Sequence, residues 1–335
     1  MEMNIADATM NLQNTKQWTA TLESESKSNP EDTTLRQDLL LAQEVEKLYS
    51  AEVLALKNKD LDKFTDLENQ VNILQLKAIS EKDSQEYRDL VSSIKYYDAV
   101  KKVKGKVAPI INDTSEAAFV TGRSALSWLS STVIFVLLTV LIADVVSGEI
   151  ESSQIRFYQL MGGRKFKHLL LKLLIPIMVV FSVTLLSFLL QYVINGLMNT
   201  FGTWRYPYQD SDSRLIPIWQ VMLKTLGLFT ATLLFIASLG QFLSLIFKKS
   251  LVVIGIIVIL LTGFLTFEGE EWFQPIKKFL PFEYLGYGRL LNDVEILPSQ
   301  SFMIGLFYLL SLSVVFILFS GYLYKHYYYR KVGQS

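Results

Sequence analysis

This sequence predicts an all-α membrane protein: a polytopic bundle of five transmembrane helices joined to an N-terminal helical domain. Three observations lead there. Half of the 335 residues are hydrophobic, with a mean hydropathy of +0.30. The apolar residues gather after residue 126, in runs long enough to cross a hydrocarbon layer of about 30 Å. The charges divide at the same place. Residues 1–125 carry 16 Lys and Arg against 21 Asp and Glu, whereas residues 126–335 carry 16 against 11. A zero formal net charge therefore conceals an acidic aqueous segment followed by a membrane segment with basic loops.

The N-terminal domain, residues 1–125, reads as a helical hairpin or coiled coil. Residues 1–33 are polar and rich in Ser, Thr, Asn and Glu, and read as a loose lead-in. Residues 34–57 place Leu35, Leu39, Leu41, Val45, Leu48, Val53, Leu54 and Leu56 at spacings that include three and four residues and favour a helix. Lys57-Asn58-Lys59-Asp60 interrupts it, and the Asp60 carboxylate can cap a second helix carrying Leu61, Phe64, Leu67, Val71 and Leu74. A third begins near Asp83 and carries Tyr87, Leu90, Ile94, Tyr97 and Val100. Lys101 and Lys102 sit at its end, where the helix dipole favours cations, and Gly105 stops it. One amphipathic helix cannot bury its stripe alone, so these helices must pack together.

The transmembrane domain, residues 126–335, holds spans at about 127–146, 169–198, 218–247, 250–267 and 302–324. Helices are expected because lipid offers no partner to an open backbone. The loops set an orientation. Arg156, Arg164, Lys165 and Lys167 lie in the first loop, Lys248 and Lys249 in the turn after the third span, and Lys325, Arg330 and Lys331 in the tail. The opposite loops, 199–217 and 268–301, dilute their cations with eight carboxylates. Positive charge marks the cytoplasmic side of a plasma membrane, which puts the C-terminus inside. Trp128, Trp204, Trp219 and Trp272 then fall on the outer side, and Tyr324, Tyr327, Tyr328 and Tyr329 at the inner edge. With five spans the N-terminal domain is extracytoplasmic. Residues 1–30 contain no signal peptide. Either the domain crosses unaided, or a further span precedes it.

Composition also excludes chemistry. The absence of cysteine removes disulfides, thiolate metal clusters and thiol catalysis. His168 and His326 are far apart at expected membrane edges, so no metal site is expected, and no basic stripe with interleaved aromatics suggests nucleic acid. No G-x-x-x-x-G-K-S/T motif occurs, so the chain is not expected to be an ATPase, or any enzyme, and no cofactor is implied. Glu270-Glu271 lacks the arginine that a Glu-Glu-x-x-x-Arg protease would need, since position 275 is Pro.

The most informative stretch runs from Asp144 to Lys172. An acidic, Ser-rich turn with Glu149 and Glu151 follows the first span. An amphipathic helix with Ile155, Phe157, Tyr158, Leu160 and Met161 comes next, then Gly162-Gly163, then Arg164, Lys165 and Lys167 before the following span. This is the design of a short interfacial helix, held between two spans, that offers a face to a cytosolic protein. The pattern resembles the permease subunits of ABC transporters of the ABC-2 type, in which this segment carries the coupling helix that docks on the nucleotide-binding subunit. The resemblance implies that residues 147–167 are the coupling segment. Glu149, Glu151 and Ser153 would open it. Arg156, Phe157, Tyr158 and Leu160 would form its helix, and Arg164, Lys165 and Lys172 would close it. Residues 280–291, with Leu280-Pro281-Phe282 and aromatics nearby before the last span, resemble a second family segment. The resemblance further implies an export function, an ABC ATPase partner, a second permease subunit in a homo- or heterodimer, and six spans, so that this chain would lack the first. The competing reading is a membrane-anchored sensor or interaction protein with an outer helical domain.

Overall fold

The computed structural model describes residues 2–79, 81–82, 84–103, 118–119, 128, 131–143, 145–152, 154, 165–209, 215–277, 279–285 and 299–325. The fold is all-α apart from one two-stranded ribbon among these residues. Contacts divide the chain into two compact units. One comprises residues 1–122 and 191–219, the other residues 123–190 and 220–335.

The first unit begins with four helices: α1 (Glu2–Ser28), α2 (Thr33–Lys57), α3 (Leu61–Ala78) and α4 (Gln85–Lys102). Each packs on the one before it. Helix α1 occupies the stretch expected to be a loose lead-in. Its inward stripe is Ala8, Leu12, Thr15, Thr19 and Leu22, a three–four repeat in which two threonines stand where apolar residues would be looked for. Their buried hydroxyls donate to carbonyls one turn back, Thr15 to Asn11 at 2.8 Å and Thr19 to Thr15 at 2.9 Å, so neither is left unsatisfied. A polar stripe of this kind hides the period from a hydropathy reading.

The other three helices form at the expected places and are capped by side chains. Asp32 accepts from the backbone N–H of Thr34 and Leu35, Asp60 from Lys63, and Ser84 from Tyr87. The Thr34 hydroxyl and then the two amides hold the Asp32 carboxyl below its usual range. The α2–α3 connection turns on Lys59, at φ 58°. Residues 207–209 (β1) and 215–217 (β2) pair antiparallel with Tyr208 opposite Ile216. An aromatic cluster lies beside the ribbon. Phe119 stacks at 5.2 Å on Tyr206, and the Trp204 indole donates to the Tyr192 hydroxyl at 3.0 Å.

The second unit contains α5 (Thr132–Ile142), α6 (Val145–Glu151), α7 (Lys165–Met198, to residue 190), α8 (Ile218–Phe247, from residue 220) and α9 (Ser250–Phe267). Two 3₁₀ turns (Glu271–Phe273 and Pro281–Leu285) flank the short α10 (Gln274–Lys277), and α11 (Ser299–Leu323) follows. Among the described residues, four helices are long and apolar enough to cross a membrane: α7, α8, α9 and α11. The expected first span is instead two helices, α5 and α6, bent by 41°, and they complete a fifth span only if the pair is taken as one.

Helix α8 is the centre of this unit, with 78% of its apolar window buried against 11% for α7, 22% for α9 and 17% for α11. Leu233, Phe235, Ile236 and Ala237 lie at its core, against Leu138, Leu173, Ile257, Phe264 and Leu309. Its closest approach is at Gly240, where an added Cβ would lie 2.5 Å from the Cα of Ala143. Ala143 is the residue at which α5 breaks. The Ser244 hydroxyl reaches its carbonyl at 3.3 Å as well as that of Gly240 at 2.7 Å. The absent side chain at Gly240 and the hydroxyl one turn on therefore act together.

Gly240→Ala should lower the thermal stability of the detergent-solubilised protein, because backbone rather than a flexible side chain must yield; overpacking of this kind costs about 1–3 kcal/mol. Gly227→Ala, whose nearest new neighbour would be Phe302 at 3.8 Å, should melt within about 1 °C of the parent.

Candidate coupling site

The site assembles at one end of the second unit. On α6, Val146 and Ile150 are four residues apart and so share a helix face. That face packs with Leu169 at the start of α7, Leu245 near the end of α8, and Leu323 and Tyr324 at the end of α11. The segments expected on the cytoplasmic side thus meet in one apolar cluster. Polar groups surround it. Glu149 forms an ion pair with Lys172, one turn along α7 from Leu169. Glu151 accepts from the backbone N–H of Ser250 at 3.1 Å. Lys249 gives α9 no side-chain cap, so the carboxylate of another helix supplies one, at the end where the helix dipole favours negative charge.

Helix α8 closes the arrangement from its buried side. Gln241, 4% exposed, donates through Nε2 to the Leu169 carbonyl at 3.0 Å. Leu169 is in the first turns of α7. Gln241, Ser244 and Leu245 follow helical spacing and present one face of α8 to α5, α6 and α7. A void of about 10 Å³ among Ala143, Val146, Lys172, Leu173 and Gln241 has room for a single water and for no substrate. The Glu149 and Lys172 side chains are 14% and 22% exposed. They fall between an exposed pair, worth roughly 0–1 kcal/mol, and a buried one, whose disruption costs roughly 3–5 kcal/mol. The arrangement offers no nucleophile held by a base. It is a junction of three helices: α6 meets α7 through the ion pair and α9 through the cap.

The structure places the expected coupling residues as follows. Glu149 and Glu151 lie on α6, each with a partner. Lys165 opens α7, and Lys172 lies two turns further on. Ser153, Arg156, Phe157, Tyr158, Leu160 and Arg164 lie outside the described residues. Sequence reasoning missed Gly240 and the pairing of Glu149 with Lys172. The Gly240-x-x-x-Ser244 spacing was the available signal for the first. For the second, a lone cation seven residues inside an apolar helix was the signal.

At the other end of the unit, the segment that resembles a second family feature folds into the core. Phe282 of Leu280-Pro281-Phe282 meets Phe235 edge-on at 6.3 Å and Phe264 at 6.1 Å. Lys277 lies 3.4 Å from both Glu268 and Glu283 and pins the loop. The Lys224 ammonium lies over the Phe302 ring at 5.8 Å. Residues 286–291 of that segment lie outside the described residues. The chain matches no protein family, no curated protein and no solved structure.

A charge swap tests the joint. Glu149→Lys and Lys172→Glu should each lower the melting temperature of the purified protein, and the double variant should recover at least half of the summed loss. Additive losses would show that the two side chains do not interact.

Proposed function

We propose that this chain is the permease subunit of an ATP-driven exporter of the ABC-2 type, which moves its substrate across a bacterial plasma membrane on ATP hydrolysed by a separate subunit. One observation carries the reading. The acidic end of the segment that resembles a coupling helix is the point at which α6, α7 and α9 are joined, by Glu149 to Lys172 and Glu151 to Ser250. A helix pushed from the cytosol needs a connection of this sort to move the spans. Several apolar helices around a buried α8 support membrane residence.

In this proposal α5 and α6 together make the first of five spans, equivalent to the second of six in the family. Glu149, Glu151, Arg156, Phe157, Tyr158, Leu160, Arg164 and Lys165 couple it to the ATPase. The first unit's helical domain is extracytoplasmic and the C-terminus cytoplasmic. Two permease subunits, alike or different, work with two ATPase subunits. ATP binding draws the ATPases together, presses on residues 147–167, and turns the spans from inward- to outward-facing.

The second reading, a membrane-anchored sensor, is favoured by the separate core of the first unit, built on Val53, Leu56 and Phe64. Purification from the native membrane separates the two readings. A stoichiometric ATPase supports the exporter, and a chain recovered without one supports the sensor.

Reversing charge at Arg156 and Arg164 together (R156E with R164E) should abolish ATPase co-purification and transport while leaving membrane insertion intact. Unchanged association would overturn the coupling assignment. The cysteine-free chain permits a second measurement. Single cysteines at the exposed positions Asn58, Ser152 and Glu270, probed in whole cells with an impermeant thiol reagent, should label at the first and third only. Labelling at Ser152→Cys would reverse the orientation.

A further inference from the structure

The first unit holds two carboxyls that the coupling proposal does not use. The inward stripe of α2 runs Val45, Tyr49, Glu52, Val53 and Leu56, and Glu52 is 1% exposed, as deeply buried as Leu56. On α3, which packs on α2, Glu68 lies one turn from Phe64 and from Val71 and Asn72, all buried. The Glu68 carboxyl is near enough to that of Glu52 for one to bond to the other, and the Oε1 of Glu52 is buried with no hydrogen-bond partner. A hydrogen bond between two carboxyl groups requires a proton on one of them, because carboxylates only accept.

The surroundings supply no counter-charge. From α2 comes Tyr49, hydrogen-bonded to Gln75 of α3, and from α4 comes Tyr97 with Tyr96 beside it. Lys101 of α4 is engaged with Asp66 of α3 at 2.6 Å, and Asp98 accepts from Asn69 at 2.8 Å. No titratable group of α1, and no Lys, Arg or His among the described residues, bears on Glu52.

We propose that Glu52 and Glu68 form a proton-operated clasp between α2 and α3, closed while the pair holds a proton and released when both carboxyls ionise. Burial first, and then the neighbouring Glu68, pushes Glu52 up to about 10, and burial raises Glu68 as well. The sign follows from which state holds the proton. The closed clasp keeps its proton at pH values where the open one has lost it. Closure is therefore strongest at acid pH. It weakens as pH rises above the usual glutamate value of 4.5, and the decline ends at about 10, where the closed state ionises too. One retained proton shifts the closing equilibrium by about tenfold per pH unit within that window. The two tyrosines do not oppose this, because burial raises Tyr49 to about 12 and Tyr97 well above its usual value, so both stay neutral. On the outer face of a membrane, such a clasp would report the acidity of the surroundings to the helices that carry it.

Hydrogen exchange on the full chain in lipid nanodiscs tests the clasp. Protection factors, corrected for the intrinsic pH dependence of exchange, are compared from pH 6 to pH 9 for amides of residues 48–56 and 64–72, with α8 as the internal reference. The expected result is a fall of about tenfold per pH unit in the parent, and a smaller slope in Glu52→Gln, where Glu68 alone still titrates. A flat profile in the parent overturns the proposal, as does an undiminished slope in Glu52→Gln. If Glu52→Gln does not fold, Glu68→Gln replaces it. Its amide can still hydrogen-bond to Glu52, and its slope should be at most half that of the parent; a full slope there also overturns the clasp. None of these outcomes depends on an ATPase partner, so the clasp and the exporter proposal can fail separately.

Discussion

Everything in the second unit depends on how closely α8 approaches the break between α5 and α6. Within lipid no water completes a backbone hydrogen bond, so a helix can end at membrane depth only where protein takes over its carbonyls. If α5 and α6 make one span, Ala143 is such an end. Its carbonyl is reached by the Ser244 hydroxyl at 3.3 Å, and that distance is possible only because Gly240 carries no side chain. The 41° bend lies at that contact, and Glu149 of α6 meets Lys172 beyond it. The contact falls on α8, the most buried of the long apolar helices.

Several polar residues of α8 have the same logic. Thr225 and Ser238 turn their hydroxyls to carbonyls of their own helix, at 2.9 and 3.0 Å. Gln241 has no such local option and donates across to Leu169. A side-chain amide in an apolar setting is costly without a partner. Once paired, it fixes the rotation of α7 about its axis, which a surface of Leu and Val would leave loosely specified.

Much of this was legible in the residues, and the limits are physical. Helices α2, α3 and α4 were readable because their apolar residues repeat at helical spacing and their caps are acidic or hydroxylated. Helix α1 was not, because Thr15 and Thr19 occupy its inward face. The long apolar helices α7, α8, α9 and α11 followed from length and hydropathy alone. The contacts at the Ala143 break did not, since their partners lie about a hundred residues away at Gly240 and Ser244. The acidic start of the candidate site was visible as Glu149 and Glu151, but a one-dimensional reading cannot say which cation or which helix end a carboxylate meets. Glu52 was hidden for a related reason: a charged residue at a core position reads as an interruption of the stripe until the facing helix brings a second carboxyl to it.

Helix α7 contains Pro176 in its interior. Proline has no N–H, so it withholds the donor that helix geometry would bring to the carbonyl four residues earlier. That residue is Lys172. The same residue whose ammonium anchors Glu149 thus sits on the one turn of α7 where the backbone ladder lacks a rung. The missing rung and the anchor of Glu149 therefore fall at the same residue, so the turn of α7 that carries the ion pair is held by one backbone hydrogen bond fewer than its neighbours.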